Sequence, residues 1–233
     1  MPGQQPAFSI LITAEHASRR IPARWAGLFD GHEAVLDSHR AWDPGTRELA
    51  QALSAELDAP LLLGQVSRLL VDLNRSATHR QVFSEFSRGL TTGQRAELME
   101  SYWQPHWTAY DAHIVAAPLQ LVHLACHSFT PVFNGVERRA DIGLLYDPSR
   151  LAEKQLARSI ATEIGRVRPD WKIRMNDPYR GTANGLGQQH RRRYSGARLV
   201  TVELEVNCRW VVSGQWPALK ALIAASCQRA LGR

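Results

Sequence analysis

Three apolar stretches of this chain each end in residues able to hold a metal ion or move a proton. Leu121-Val-His-Leu-Ala-Cys-His-Ser-Phe-Thr-Pro131 delivers His127 and Ser128, and Phe8-Ser-Ile-Leu-Ile-Thr-Ala-Glu-His16 stops at Glu15 and His16. Leu199-Val-Thr-Val-Glu-Leu-Glu-Val-Asn207 alternates, with Glu203, Glu205 and Asn207 on one face and Val202, Leu204 and Val206 on the other. In an open α/β sheet, ligands bind just beyond the carboxyl ends of the strands. Two imidazoles and a carboxylate delivered there make a metal-assisted hydrolytic site, with zinc the expected ion, one per chain. His16 and His127 are the expected ligands. His123 shares the His127 face but lies deeper, which suits packing or support of a ligand. Successive same-face residues of a strand are roughly 6.5–7 Å apart, so Glu203 and Glu205 cannot both meet one water. Glu205, nearer its strand end, is the expected catalytic base, and Glu203 a supporting residue.

A second constellation is Arg68, Asp72, Asn74 and Arg75. Guanidinium groups take carboxylates in a two-pronged grip, which points to an anionic substrate. Arg68, Asp72 and Asn74 share a face if the chain there is extended. We expect Arg68, Asn74, Arg75 and Ser128 to contact substrate and Asp72 to orient its neighbours. Tyr102, His106, Tyr179 and His190 could line the pocket or donate to an oxyanion, and Arg138, with Arg139 beside it, is a further substrate candidate. For His190, beside Arg191-Arg192-Arg193, a solvated position is an equal alternative.

The elements that must carry these residues follow from periodicity. Strands are expected up to His16, up to His127, at Asp141–Tyr146, at Ile173–Met175 and at Val200–Val206. Two shorter strand-like pieces flank Gly64 between Pro60 and Val71. Helices are expected from Pro44 to Leu57, with apolar residues at 49, 50, 53 and 57, from Gly93 to Ala117 with a break at Pro105, from Ser149 to Val167, and from Trp216 to Leu231. Pro44 suits a first helical position, which would make Asp43 an N-cap. Residues 76–92 read as an ordered loop edging the site, and the glycine-rich run 181–187 as a flexible loop without phosphate-loop spacing. Strands alternating with helices give an α/β fold of three layers with a mixed, mostly parallel sheet. No linker or repeat divides residues 1–233, so one domain is expected.

With 233 residues, 44% of them hydrophobic, the chain can bury a full core. No run approaches 18 apolar residues, which argues against a membrane span, and Met1–Pro6 lacks the pattern of a secretory signal. Cys126, Cys208 and Cys227 have no metal-binding spacing and cannot all pair, which suits a reducing cytoplasm. The net charge of +6 comes mostly from scattered arginines with no nucleic-acid-binding signature, so a small anionic partner is the better expectation. Oligomeric state is open.

Taken in order, Glu15-His-Ala-Ser-Arg-Arg-Ile-Pro22, His39-Arg-Ala-Trp-Asp-Pro-Gly45, Ser67-Arg-Leu-Leu-Val-Asp-Leu-Asn-Arg75, His127-Ser-Phe-Thr-Pro131, Asn176-Asp-Pro-Tyr179 and Glu203-Leu-Glu-Val-Asn207 resemble the N-formylglutamate amidohydrolase family over about residues 8 to 210. The resemblance implies a phosphorylase/hydrolase-like α/β fold, distantly similar to zinc carboxypeptidases and aspartoacylase-type deacylases. It also implies a zinc-dependent deformylase or deacylase of amino-acid metabolism, acting on an N-acyl amino acid such as N-formyl-L-glutamate, or on an acetyl or succinyl relative. A metal-free binding protein on the same fold is the alternative. The related enzymes carry a glutamate three residues after the first histidine; here that position is Arg19. The resemblance of His39-x-x-x-Asp-Pro-Gly to a recurrent family motif makes Asp43 the preferred third ligand, against its reading as a helix cap. Glu15 is the next choice, and His39 a ligand or a ligand's partner. Asp-Leu-Asn-Arg75 looks like a substrate-carboxylate motif. The family's Glu-Val-Arg segment matches Glu205, with Asn207 in place of its arginine.

Overall fold

The structure, a computed structural model, describes residues 8–233; Met1–Pro6, read above as unlike a secretory signal, lies outside them. In chain order the elements are β1 (Phe8–Ala14), α1 (Thr46–Leu57), β2 (Leu61–Leu63), α2 (Thr92–Leu98), α3 (Gln104–Ala116), β3 (Gln120–Phe129), β4 (Val132–Phe133), β5 (Val136–Glu137), β6 (Ile142–Leu145), α4 (Leu151–Val167), β7 (Ile173–Met175), α5 (Leu186–Arg191), β8 (Leu199–Asn207), α6 (Cys208–Val211) and α7 (Trp216–Ala230). Six strands form one sheet in the order β2-β1-β3-β8-β6-β7, and β4 and β5 form a separate hairpin. Every pairing in the sheet is parallel except β6 against β8.

Strand alternation divides the interior into two layers. Ile10, Ile12 and Ala14 of β1, Leu124 and Cys126 of β3, and Val202, Leu204 and Val206 of β8 pack against α1, α4 and α7. Leu11, Leu121 and Leu199 point to the other side, onto Tyr110 and Ile114 of α3 and Leu186 of α5. Burial on both faces is why these strands read as apolar runs. The residues with chemistry, His123, His127, Glu203 and Glu205, belong to the second face by the same alternation. His123 is spent there: its ring nitrogens meet Thr13 Oγ1 at 2.8 Å and Tyr110 Oη at 2.9 Å. Burial lowers its pKa to about 3, so it is a neutral strut.

Four expectations are corrected. Helix α1 begins at Thr46 with Gly45, not Asp43, at the cap position, and no side chain caps it. Gly45 has φ 79°, and a Cβ there would lie 2.6 Å from Val211 Cγ1, so glycine is required twice over. Between Pro60 and Val71 only Leu61–Leu63 is strand. The following segment turns because Ser67 donates to the Ala41 carbonyl and accepts from the Leu69 amide, so Arg68 and Asp72 meet as i,i+4 neighbours rather than along an extended face. The break near Pro105 is a π-helical turn over Met99–Trp103 that joins α2 to α3. It sets Trp103 and Trp107 in a stack 4.3 Å apart, and their indole N–H groups donate to the carbonyls of Arg75 and Leu73.

Behind β8, Arg191 is buried against Glu153, Nε to Oε1 at 3.0 Å, and also donates to the Gly181 and Thr201 carbonyls. Every prong of this guanidinium is therefore used inside the fold.

Candidate active site

The site forms where β1, β3 and β8 end. His127 and Glu205 are register partners on β3 and β8, while Glu15 and His16 directly follow β1. Asp43 sits at the end of the loop before α1, where its amide donates to the His16 carbonyl. Its carboxylate, free of any capping duty, turns toward both histidines: Oδ2 lies 3.0 Å from His127 Nδ1 and 3.4 Å from His16 Nδ1. One donor atom from each of His16, Asp43 and His127 lies within 4.8 Å of the others, and all three residues are buried.

The outer nitrogens are also engaged. His16 Nε2 is 2.7 Å from Asp72 Oδ1, and His127 Nε2 is 3.1 Å from Glu15 Oε2. Asp72 facing His16 Nε2 fixes the proton there and leaves the Nδ1 lone pair for an electrophile, while at His127 Nε2 Glu15 shares the nitrogen with Asn74 Nδ2, 3.4 Å away. Arg68 completes the outer frame, 3.0 Å from Asp72 and 3.5 Å from Asp43.

Burial by itself would raise the Asp43 pKa, but the His16 charge, the hydrogen bonds from His127 and His16, and Arg68 overcome it and hold the carboxyl far below its usual range. Asp72 is treated alike: burial opposes ionisation, and Arg68 and His16 outweigh it. Burial also disfavours a charged His127, yet Asp43 and Glu15 on its two nitrogens drive its pKa well above the ordinary value. A cationic centre is therefore demanded between Asp43 and the Nδ1 atoms, filled by a proton or by a metal. Zinc bonds of about 2.0–2.1 Å in a tetrahedron place neighbouring ligand atoms roughly 3.3–3.4 Å apart. The Asp43–histidine spacings of 3.0 and 3.4 Å lie close to that edge, and a donor set of two imidazoles and a carboxylate suits a zinc ion.

Glu205 lies beside this triad, buried, with Oε2 lacking any hydrogen-bond partner. Burial pushes its pKa up to about 8, with Asp43 and Glu203 adding to the shift against the attraction of His127. Glu203, also raised by burial, lies two residues deeper on the same strand.

A cavity of about 200 Å³ opens over the triad. Of the expected site residues, His16, Asp43, His127, Glu203, Glu205, His39, Arg68, Asn74, Arg75, Ser128 and Tyr179 line it. Ser128 Oγ also donates to the Pro44 carbonyl, tying β3 to the Asp43 loop. Glu15 sits behind His127 rather than on the cavity wall. His106 is buried 3.8 Å from Glu15. It faces, with Tyr102, a separate cavity of about 190 Å³ walled by Leu62, Leu63 and Leu73. His190 is neither on the wall nor solvated: it is buried between Trp107 and Tyr110, its Nδ1 2.8 Å from the Leu186 carbonyl. Arg138 stays outside the cavity, laid over Phe133 and Tyr179 and donating to the Tyr179 hydroxyl; Arg139 is exposed beside Glu137. The 76–92 loop contributes nothing to the lining. Asn207 accepts from the Arg209 amide and donates to the carbonyls of Arg138 and Ala140, which closes the end of β8.

One wall was missed in the sequence apart from Tyr179. Arg180, Ala183, Asn184 and Gly185 form it with Tyr179, and it is clamped to the 74–76 segment. Arg75 Nη1 donates to the Asn184 carbonyl, the Ser76 amide to Asn184 Oδ1, Asn184 Nδ2 to Ser76 Oγ, and the Leu186 amide to Asn74 Oδ1. The glycines at 181 and 185 were the available signal. A Cβ at Gly181 would lie 2.2 Å from the Tyr146 amide nitrogen, and one at Gly185 2.7 Å from Asn74 Oδ1. The run 181–187 is thus a closely fitted wall leading into α5.

Among the described residues, no helix is long and apolar enough to cross a membrane. The chain is similar to a solved gene product of Agrobacterium tumefaciens, 27% identical, covering 98% of this chain and 93% of that one with a TM-score of 0.80. It shares its fold with an N-formylglutamate amidohydrolase of Ralstonia eutropha JMP134, 15% identical, covering 98% and 94% with a TM-score of 0.70. Curated proteins give no match. The family model described as N-formylglutamate amidohydrolase matches residues 8–212. With that match over most of its length, the chain belongs to the N-formylglutamate amidohydrolase family of amide hydrolases.

Proposed function

We propose that residues 1–233 act as one cytoplasmic catalytic domain that hydrolyses the amide bond of an anionic N-acyl amino acid, N-formyl-L-glutamate foremost, with one zinc ion held by His16, Asp43 and His127. The observation that carries this reading is the convergence of three buried donor atoms beside Glu205, a carboxylate with an unpartnered oxygen. A zinc ion held there would supply Lewis acidity toward an acyl oxygen and a water molecule. Glu205 is the group placed to take a proton from water and return it to the departing amine. Its unpartnered, buried Oε2 leaves it free for this double task. Asp72 and Glu15 keep His16 and His127 turned with Nδ1 toward the metal. Arg68 holds Asp43 and Asp72 in place.

Metal analysis of the purified protein, followed by release of free amine from a panel of N-formyl, N-acetyl and N-succinyl amino acids, tests the proposal. Near-stoichiometric zinc and zinc-dependent turnover of N-formyl-L-glutamate are expected. A metal-free protein that cleaves none of the panel, with or without added zinc, would sink it.

A further inference from the structure

The cavity is lined by three arginines, Arg68, Arg75 and Arg180, and two are held by neighbouring groups. Arg68 is paired with Asp43 and Asp72. Arg75 Nη1 is divided between the carbonyls of Asn74 and Asn184, which leaves its buried Nε edge as the part still without an acceptor. Asn74 is likewise committed, its Oδ1 to the Leu186 amide and its Nδ2 beside His127 Nε2 at 3.4 Å. Arg180 differs. It is exposed on the cavity wall, and among the described residues no carboxylate or hydrogen-bond acceptor engages its guanidinium.

Depth decides which substrate group would meet it. The metal-ligating triad is buried at the cavity floor, so the scissile amide must descend there, while the part of the substrate farthest from it stays near the exposed rim. Resting on the function proposed above, we propose that Arg180 is the specificity-determining residue that grips the side-chain carboxylate of the substrate amino acid, and that Asn74, Arg75 and Asn184 position it by clamping the loop on which it rides. The site thereby selects acidic amino acids over their amides.

The amine products probe this without turnover and independently of the acyl group. Calorimetry with L-glutamate and L-glutamine on the zinc-loaded protein should show the acid bound about tenfold or more tighter, the range of a charge-assisted grip. Arg180→Ala should reduce that preference to within about twofold, Arg180→Lys should keep part of it, and Arg158→Ala, on the exposed face of α4, should leave it unchanged. Equal binding of acid and amide by the wild type, or a preference that survives Arg180→Ala, overturns the assignment. Amine release from N-formyl-L-glutamate by the same preparation reports separately on the parent reading: hydrolysis without an acid preference removes only the role of Arg180.

Discussion

The two walls of the cavity are built on opposite principles. The floor comes from strands whose geometry is local and regular: β3 and β8 run in register, so placing His127 places Glu205 beside it. The 179–185 wall has no regular structure before α5 and is held by contacts between residues 108 to 112 positions apart in sequence. The floor is rigid because many backbone bonds would have to break to move it. The wall is fixed by a few side chains and can be altered alone. This division suits an enzyme whose chemistry is constant and whose specificity varies.

If the division holds, removing the base on the floor has the largest effect. Glu205→Gln should keep zinc and fold while lowering kcat by about two to four decades; an active, zinc-replete variant would exclude Glu205 as the base, and an inactive Glu203→Gln in its place would move the role one step down the strand. Next comes the triad. Asp43→Asn, His16→Ala or His127→Ala should each strip most of the zinc measured by elemental analysis. Because Asp43 does not cap α1, no loss of helix stability is expected to accompany Asp43→Asn beyond that of the missing metal. Zinc retained in all three variants would dismantle the floor as drawn.

The wall should respond differently. Gly185→Ala drives a methyl group into Asn74 Oδ1, so we expect KM to rise by about tenfold, with zinc content unchanged and kcat within a fewfold, as when binding and not chemistry is lost. A fall in kcat with unchanged KM would mean that the wall reaches the reacting atoms.

An effect on stability and not on turnover concerns His123, deeper under the floor. Its folded pKa of about 3 lies below the ordinary histidine value of 6.5. The unfolded chain therefore binds the extra proton first as pH falls. Stability is full above about pH 6.5 and declines between there and pH 3, at up to about 1.4 kcal/mol per pH unit from this group. Denaturant unfolding across that window should show a shallower decline in His123→Gln; identical slopes in both proteins would assign the acid sensitivity elsewhere.

The same contrast explains what could be read in advance. The alternation of Val202, Leu204 and Val206 against Glu203 and Glu205 carries its own geometry, and the ends of β1 and β3 follow from apolar runs of strand length. Asp43 was ambiguous because Asp-Pro-Gly satisfies a helix cap as well as a ligand; only the glycine cap at Gly45 freed its carboxylate. Arg68 and Asp72 lay on an imagined strand because Ser67, which bends the chain, finds its acceptor in Ala41, 26 residues away. Arg180 and Asn184 had no signal of their own, since what fixes their wall is the remote 74–76 segment. His190 misled through its company: three arginines beside it suggested solvent.

That company has a colloidal meaning. Arg191-Arg192-Arg193 looks like a basic patch, but Arg191 lies inside with Glu153, and Arg193 is met by Asp111 at 3.1 Å. Only Arg192 presents an unneutralised charge from the triplet. A polyanion draws its affinity from adjacent cations acting together, and this triplet, folded, does not supply them. The net charge of +6 is instead spread thinly over the surface, a diffuse field that discourages copies from sticking to one another and draws small anions from every side.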